Sequence, residues 1–289
     1  MMVETGSFLN ELLQKTKKSL TKISRNEADR EARLLVEWAT QIRPIDHVLN
    51  PNLPISSHQM NVLEKAVEQR LKGMPVYRII GMREFYGIPF LLSSQTLEPR
   101  SDTETLVDMV LTYLKNQNEF NQIVNILDMG TGTGAIAIAI LSNFEKSRVW
   151  GVDVREDILE TAFNNATNAQ VSDRFKTVLS NWFENIDTKY DLIVSNPPYI
   201  PHDDIDKLSP EVKYHDPLRA LDGGVDGLDF YRLLARDSHK FLKKNGKIAI
   251  EIGFGQEDAV ISLFHTHGYH CEKQCKDLNA IPRSLLFRQ

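Results

Sequence analysis

A chain of 289 residues, 42% hydrophobic and 25% charged, has the composition of an ordinary globular protein and length for one large or two ordinary domains. No apolar run approaches the roughly 20 residues that cross a bilayer, and the first 18 residues lack the apolar centre of a signal peptide. Two cysteines make no disulfide framework. These observations together predict a cytoplasmic protein. Residues 1–80 carry 12 Lys and Arg against 9 Asp and Glu (+3) and the remainder 22 against 30 (−8), which argues against a general binder of duplex nucleic acid.

The first 75 residues have the periodicity of helices and predict a small helical domain. Apolar side chains recur on one face after each of two capping-box sequences, Ser24-x-x-Glu27 and Ser56-x-x-Gln59, and another helix is predicted over residues 8–20. The sequence of this segment contains no catalytic cluster. We therefore expect residues 1–75 to recognise a protein substrate.

The segment that follows changes character and predicts a connection between domains. Val76–Gly81 and Phe85–Phe90 have the composition of two short strands, which predicts a β-hairpin. Ser101, with Glu104 three residues later, is expected to cap a helix over about residues 102–115.

From residue 123 onward, predicted strands alternate with predicted helices, the pattern of a parallel sheet with helices on both faces. Five strands are predicted over residues 123–129, 148–153, 175–179, 191–195 and 247–251, and two more in the tail between residues 269 and 287. The helices are predicted over residues 135–144, 156–168, 230–242 and 256–265. The sequence therefore predicts an α/β fold with a doubly wound, mostly parallel sheet in residues 101–289, preceded by a linker over residues 76–100.

A glycine-rich turn joins the first of these strands to the helix that opens at Ala135. The turn reads Gly130-Thr131-Gly132-Thr133-Gly134. Glycines let the backbone turn sharply and let a ligand lie against it, while the helix start presents unpaired N–H groups. Asp153 ends the next strand about 20 residues later, where a carboxylate holds ribose hydroxyls. This spacing suits NAD and S-adenosylmethionine equally well.

The apolar strand that ends at Ser195 is followed by Asn196-Pro197-Pro198-Tyr199. Prolines cannot donate to a sheet ladder, so the strand must end there, at the edge where open α/β sheets bind ligands. The Asn196 side-chain oxygen and the Pro197 carbonyl are two acceptors beside the Tyr199 ring. They suit a planar group bearing NH2, such as a carboxamide or an amino-purine. The tetrapeptide resembles the motif of methyltransferases that modify such groups.

Two observations favour a methyl donor over a hydride carrier. No hydride-transfer site is evident in the sequence, and Asn196 lies at a later strand end, where a group to be methylated would meet the cofactor. Trp182, which follows the third of these strands, is a candidate to stack on an adenine face. The glycine turn, Asp153 and Asn196 together resemble the class I S-adenosylmethionine methyltransferase fold, which has a seven-stranded sheet.

Three further stretches narrow the resemblance to one family: Arg83–Gly87, Glu98–Glu104 and Asp216–Gly227. With the motifs above, this ordered set resembles the peptide chain release factor glutamine methyltransferases, the HemK/PrmC family, over essentially the whole chain. The resemblance implies methyl transfer from S-adenosylmethionine to the side-chain amide nitrogen of the glutamine in a Gly-Gly-Gln motif of a release factor. The chain departs from the family pattern at Ser101, commonly Pro, and at Asn181, commonly Asp.

The resemblance also implies the site residues. The catalytic residues would be Asn196, Pro197 and Tyr199, and Pro198 would join them in binding the substrate. The cofactor would be bound by Gly130, Thr131, Gly132, Thr133, Gly134, Asp153, Trp182 and Asn196. We expect a release factor as the protein partner, a monomeric enzyme, and no metal, membrane or direct nucleic-acid partner.

Three other functions stay open on the sequence alone. The tetrapeptide is shared with DNA adenine methyltransferases, so a nucleic-acid amine methyltransferase is the main alternative, although the −8 charge argues against it. An NAD-dependent oxidoreductase would use the same glycine turn but needs an acid–base residue. A non-catalytic cofactor-binding module would not need Asn196. The histidines and cysteines of residues 265–275 match no structural zinc spacing.

Overall fold

A computed structural model describes residues 8–50, 52–116 and 122–289 of the chain, which forms two compact units, Met1–Gly81 and Met82–Gln289. The described residues of the first unit form five helices: α1 (Leu9–Leu20), α2 (Ala28–Thr40), α3 (Pro44–Leu49), α4 (Ser57–Leu71) and α5 (Val76–Ile80). The apolar stripes predicted from the sequence form its core, in which Leu35 and Val36 are completely buried.

The two predicted capping boxes of this unit have different outcomes. At Ser56 both bonds are present: its hydroxyl accepts from the Gln59 N–H at 3.2 Å, and the Gln59 side chain accepts from the Ser56 N–H at 3.0 Å. At Ser24 the hydroxyl accepts only from the Glu27 N–H, at 3.3 Å, and α2 begins after Glu27. The box at Ser24 was therefore wrong, although the helix itself is confirmed.

The strand predicted over residues 76–81 is wrong, because these residues form α5. Pro75 stands at the N-terminal cap with φ −60°, a value that suits a helix start. Gly81 ends the helix in the left-handed conformation, φ +77°, as a C-terminal cap. The local stop and start signals outweigh the apolar, β-branched composition of the five residues between them.

A hairpin exists within the second unit, but it is made of other residues than predicted, and the strand predicted over Phe85–Phe90 is wrong because Tyr86 and Gly87 form the turn. Its strands are β1 (Met82–Phe85) and β2 (Ile88–Leu91), paired antiparallel with Phe85 opposite Ile88. Tyr86 and Gly87 form the turn with φ +54° and +73°, the positive values that two-residue hairpin turns require. The hairpin belongs to the core of this unit because Phe85 and Phe90 are buried there.

The second unit is built on a seven-stranded sheet with strand order β5-β4-β3-β6-β7-β9-β8. The strands are β3 (Val124–Met129), β4 (Ser147–Asp153), β5 (Phe175–Leu179), β6 (Tyr190–Ser195), β7 (Leu242–Glu251), β8 (His270–Lys276) and β9 (Pro282–Arg288). The first five are parallel, and β9 is antiparallel to both β7 and β8. The predicted α/β class with a mostly parallel seven-stranded sheet is confirmed.

Helices cover both faces of this sheet: α6 (Glu104–Asn116), α7 (Ala135–Asn143), α8 (Glu156–Asn168), α10 (Asp229–Asp237) and α11 (Glu257–Thr266). The short helix α9 (Pro210–His215) lies between β6 and α10 in the chain and has no buried residue. Neighbouring side chains of β3 point to opposite faces, so Ile126 packs with α6 and α7 whereas Leu127 packs with α10 and α11. The chain order reverses between β3 and β6, which places a binding crevice at their carboxyl ends. Among the described residues, no helix has the length and apolarity needed to cross a membrane.

The helix predicted to be capped by Ser101 begins at a different place. Residues 101–103 form a 3-10 turn, and α6 begins at Glu104. The Glu104 carboxylate accepts from the backbone N–H of Tyr86 at 2.8 Å, in the hairpin turn. The predicted box is wrong because this acid anchors the hairpin instead of closing a box with Ser101.

Candidate active site

A cavity of about 300 Å³ lies in the second unit, at the carboxyl ends of the central parallel strands. This volume is at the lower end of the range typical of small-molecule sites. The wall combines the segment before α6, the glycine turn after β3, the ends of β4 and β5, the residue after β6, and the start of α10. The topology therefore brings most of the predicted site residues to one place.

The first part of the glycine turn lines the cavity, and its last glycine allows α7 to pack closely against α8. Gly130, Gly132 and Gly134 have φ of +74°, +56° and +80°, where only glycine is unstrained. No atom lies within 4 Å of a Cβ added at Gly130, so its backbone faces open space. A Cβ at Gly134 would lie 2.9 Å from Ile138 and 3.3 Å from Ala162. Gly134 is not part of the cavity wall; it lets α7 approach α8.

Asp153 ends β4 at the cavity wall and is fixed by two backbone donors. Its Oδ2 accepts from the Gly132 N–H at 3.1 Å and its Oδ1 from the Val154 N–H at 2.8 Å. Burial raises the pKa of Asp153, while these two bonds and the charge of Arg219 act in the opposite direction. Each carboxylate oxygen has a further lone pair, so the held carboxylate can still accept from a ligand.

A second buried acid, Asp128, lies behind the glycine turn and was missed by the sequence reasoning. Its Oδ2 accepts from the Thr131 hydroxyl at 2.7 Å. Burial, together with the charge of Asp153, raises the pKa of Asp128 to about 7, against the opposing effect of the bond from Thr131. The signal available in the sequence was an acidic residue near the end of a mostly apolar strand. An acid is rarely fully buried without a specific reason, so this position indicates a functional or structural role.

Trp182 lies in the cavity wall in an uncommon backbone conformation. Its φ of +52° is in the left-handed region, and Ser180 holds the turn by donating to the Trp182 carbonyl at 2.8 Å. Its ring stacks on Phe230 of α10, with 4.8 Å between centroids and 26° between planes. The neighbouring Asn181, also in the wall, donates to Glu184 at 2.7 Å. Phe230 was not predicted, because nothing in sequence links α10 to the end of β5.

Asn196 follows β6 and lies in the cavity wall with its amide already oriented. Its Nδ2 donates to the Thr103 hydroxyl at 3.2 Å, which directs the Oδ1 atom away from Thr103. Pro198 also lines the cavity, whereas Pro197 is buried and, like Tyr199, is not part of the wall. The predicted catalytic and substrate-binding residues are thus contiguous, but only two of the four face this cavity.

Tyr199 packs toward the protein core. Its hydroxyl donates to Glu251 Oε1 at 3.4 Å, and its backbone carbonyl accepts from the Gln256 side chain at 2.9 Å. Burial, and then the charge of Glu251, raise the pKa of Tyr199 well above its ordinary value. Packing of the Tyr199 ring against a substrate amide stays a prediction.

The glycine-rich stretch of residues 216–227 lies directly against the tetrapeptide. The Gly223 N–H donates to the Ile200 carbonyl at 2.8 Å, and the Ile200 N–H donates to the Leu221 carbonyl at 2.9 Å. An added Cβ would lie 2.9 Å from Tyr199 Cα at Gly223 and 2.4 Å from the Tyr199 carbonyl at Gly227. Glycine is required at both positions because the two backbones are in contact.

Ion pairs join the other two stretches that resemble the family. Glu98 is buried and pairs with Arg83 of the hairpin, and Arg100 Nη1 lies 3.9 Å from Glu98. Arg100 Nη2 also lies 2.5 Å from Asp216 Oδ2 at the start of the glycine-rich stretch. Glu98 and Arg100 line the cavity, as does Arg219 of the glycine-rich stretch, whereas the hairpin stretch is connected to them through the pair of Arg83 with Glu98. Among the described residues no cluster of His, Cys, Asp or Glu is arranged to hold a metal ion.

Comparison with known proteins gives two family models and a set of full-length relatives. Residues 11–81 match the model described as the PrmC N-terminal domain, and residues 103–209 match the methyltransferase small domain. The release factor glutamine methyltransferase of Agrobacterium fabrum is 45% identical over 90% of both chains. That of Bradyrhizobium diazoefficiens is 38% identical over 91% of this chain and 89% of its own.

Two further similarities are more limited. A bifunctional methyltransferase of Rickettsia felis is 37% identical over 96% of this chain, which spans only 58% of that longer protein. Among solved structures, the hMettl16 catalytic domain, in complex with MAT2A 3'UTR hairpin 6, has a TM-score of 0.55 over 83% of this chain and 85% of its own, at 13% identity. The latter likeness shows the fold alone.

Proposed function

The chain belongs to the family of release factor glutamine methyltransferases, and we propose that it methylates the glutamine of a Gly-Gly-Gln motif in a peptide chain release factor. It is an S-adenosylmethionine-dependent methyltransferase. The similarity to release factor glutamine methyltransferases favours a glutamine acceptor. The observation that carries methyl transfer to a planar NH2 group is the Asn196 side chain, which lies in the cavity wall with its Nδ2 bonded to Thr103. Its Oδ1 is thereby presented as an acceptor for a planar NH2 group.

The residues of the cavity fit S-adenosylmethionine. The backbone at Gly130 and Gly132 leaves space that a side chain would fill, so a ligand can lie against it. We assign Asp153 to the two ribose hydroxyls and Trp182 to the adenine face, with Thr131 and Thr133 as further contacts along the turn. When bound, the cofactor supplies a methyl carbon made electrophilic by an adjacent positively charged sulfur.

The role of Asn196 and Pro197 follows from the weak nucleophilicity of an amide. The nitrogen lone pair of a glutamine side chain is delocalised into its carbonyl, as in a peptide bond. We assign the Asn196 Oδ1 and the Pro197 carbonyl to the two amide hydrogens, so that together they would orient the nitrogen for methyl transfer. Such orientation can lower a barrier by about 7–11 kcal/mol.

The site needs no strong base. The bound cofactor would supply the methyl group for the new carbon–nitrogen bond, and its sulfur would keep the electron pair of the broken carbon–sulfur bond. The methylated amide nitrogen then releases one hydrogen to solvent as a proton. The products are N-methylglutamine in the release factor, the demethylated cofactor and one proton.

We further propose that residues 1–75 recognise the release factor and that the enzyme acts as a cytoplasmic monomer. Support for the first part comes from the match of residues 11–81 to the PrmC N-terminal domain and from the +3 charge of residues 1–80. All residues that line the cavity belong to the second unit, so the first unit is available for another role.

The test offers release factor and duplex DNA side by side with labelled cofactor. A DNA enzyme pays a few kcal/mol to unstack an adenine and recovers this through phosphate contacts, which a segment of net charge −8 is poorly suited to make. We expect labelling of release factor, none of DNA, and none of a release factor whose Gly-Gly-Gln glutamine is alanine. Asn196→Ala should lower kcat by about a hundredfold to a thousandfold, as for loss of one positioned group at a reacting centre. Labelling of the alanine release factor, or better labelling of DNA, would refute the proposal.

A further inference from the structure

Gln256 is a half-buried residue between β7 and α11 whose side chain the reaction described above does not use. Its Nε2 donates to the Tyr199 carbonyl at 2.9 Å and, more weakly, to the Gly227 carbonyl at 3.4 Å. Its Oε1 accepts from the Gly253 N–H at 2.9 Å. These three partners are backbone groups, each of which can only donate or only accept, so they fix the orientation of the amide. One side chain thus joins the tetrapeptide, the glycine-rich stretch and the turn after β7.

Two glycines leave the space that this amide occupies. A Cβ added at Gly253 would lie 2.7 Å from Gln256 Oε1 and 3.0 Å from the Tyr199 ring. A Cβ added at Gly227 would lie 2.8 Å from Gln256 Nε2. The φ of Gly253 lies outside the left-handed region, so its backbone conformation does not require glycine. The close approach of Gln256 and Tyr199 is what excludes a side chain at this position.

The peptide group that ends the tetrapeptide is held from both sides. Gln256 donates to its carbonyl, which belongs to Tyr199. Its N–H, which belongs to Ile200, donates to the Leu221 carbonyl at 2.9 Å. Because a peptide group is planar, these two bonds together fix the direction in which the chain leaves the tetrapeptide.

The start of the tetrapeptide is anchored in the sheet, and the residues in between have little freedom. Ser195 ends β6, and its hydroxyl donates to the Met129 carbonyl of β3 at 2.7 Å. The proline ring holds φ at about −65° in Pro197 and Pro198 and also restricts the residue before each of them. With few free torsions between two fixed ends, release of one end displaces the Pro197 carbonyl.

We propose that Gln256 is a positioning residue that acts through the Tyr199 carbonyl and keeps the Pro197 carbonyl in place for the substrate amide. This inference rests on the proposed function, because it concerns an acceptor of the same site. Gln256 is not part of the cavity wall, so cofactor binding should not depend on it. A misplacement of about 1 Å can cost roughly a hundredfold in rate, so a contact outside the cavity can still control turnover.

The Pro197 carbonyl can be observed without any acceptor substrate. Pro197 and Pro198 are the only adjacent prolines in the sequence. In the full-length protein with carbon-13 and nitrogen-15 in proline alone, a spectrum that correlates each carbonyl with the next nitrogen therefore contains one signal, that of the Pro197 carbonyl.

The signal should shift or broaden in two variants that remove the hydrogen bond to Tyr199. Gln256→Met has a side chain of similar length that donates no hydrogen bond, and Gln256→Glu places a carboxylate, which only accepts, against two carbonyls. Gln274→Glu is the matched control, because it adds the same charge at an exposed position of β8. It should leave the signal unchanged.

Kinetics on release factor complete the test. Gln256→Met should lower kcat roughly tenfold to a hundredfold, and Gln256→Glu should lower it further, because its carboxylate repels the carbonyls of Tyr199 and Gly227. Both variants should bind S-adenosylmethionine with wild-type affinity in titration calorimetry, and Gln274→Glu should match the wild type in every assay. A purely structural role would lower the unfolding temperature and leave the Pro197 signal and the kcat of the folded enzyme unchanged.

Three results would overturn the inference: an unchanged Pro197 signal in both Gln256 variants, wild-type kcat in both, or loss of cofactor binding in both. The signal also separates this inference from the proposed function. If it changes as expected but the wild-type protein does not methylate release factor, the proposed function fails while the effect of Gln256 on the tetrapeptide stands.

Discussion

Replacing Asp153 by alanine should weaken S-adenosylmethionine binding without unfolding the protein. The carboxylate is held in place by the N–H groups of Gly132 and Val154, at 3.1 and 2.8 Å, so it needs no rearrangement to accept from two ribose hydroxyls. A hydrogen bond to a charged group contributes about 1.5–3 kcal/mol. The dissociation constant should therefore rise roughly tenfold to a hundredfold. Asp153→Asn should give a smaller loss than alanine, because its remaining amide oxygen can still accept a hydrogen bond, although its NH2 group cannot accept from either backbone N–H.

Titration calorimetry with S-adenosylmethionine measures this change directly. Asp157→Asn is the control, since Asp157 is an exposed acid close in sequence that pairs with Arg155. It should bind the cofactor with wild-type affinity. Thermal unfolding of each variant separates loss of binding from loss of folding. Wild-type affinity in Asp153→Ala, or tight binding of NAD by the native protein, would show that the assignment of the cavity is wrong.

Three further predictions concern the two units and their buried charges. A chain of residues 82–289 should bind the cofactor normally but methylate release factor poorly, and an unimpaired kcat/KM would contradict substrate recognition by the first unit. Arg70→Met should lower the free energy of unfolding by about 3–5 kcal/mol, because it leaves Glu31, which is bonded to Arg70 at 2.8 and 3.0 Å, as an unpaired buried charge. The double variant with Glu31→Leu should recover most of the lost free energy, and denaturant titration measures both changes. Asp128 holds its proton up to about pH 7 in the folded protein but only up to about pH 4 in the unfolded chain. The free energy of unfolding should therefore fall by up to about 4 kcal/mol as the pH rises from about 4 to about 7. Asp128→Asn should remove this contribution to the pH dependence of stability.

Short-range signals in the sequence were enough to predict the sheet and its main motifs. The strand over Phe175–Leu179 and the helix over Glu156–Asn168 have the predicted bounds, because apolar runs and periodic stripes reflect burial on a sheet face or one side of a helix. The tail strands were also expected. The glycine turn, Asp153 and Asn196 converge because parallel strands end at one edge, a property that follows from fold class alone.

Where a segment was short, the local pattern was ambiguous. Val76–Ile80 has only five residues, too few to distinguish the two-residue period of a strand from the 3.6-residue period of a helix. The flanking Pro75 and Gly81 decided the outcome in favour of a helix. Glu104 was misassigned for another reason. Its carboxylate bonds to the Tyr86 N–H, a contact over 18 residues that a capping-box pattern cannot anticipate.

The partner of Asn196 could not be predicted because it comes from a distant part of the chain. Thr103 is 93 residues away and becomes a neighbour only once the segment before α6 is placed against the end of β6.

The central claim is that the acceptor atom is a glutamine side-chain nitrogen. Tandem mass spectrometry of release factor, after reaction with the full-length protein and S-adenosylmethionine, locates the methyl group directly. The expected result is one methyl group on the side chain of the Gly-Gly-Gln glutamine, present with the native protein and strongly reduced with Asn196→Ala. A methyl group on any other residue, or an unmodified release factor under conditions where the protein binds its cofactor, would contradict the account.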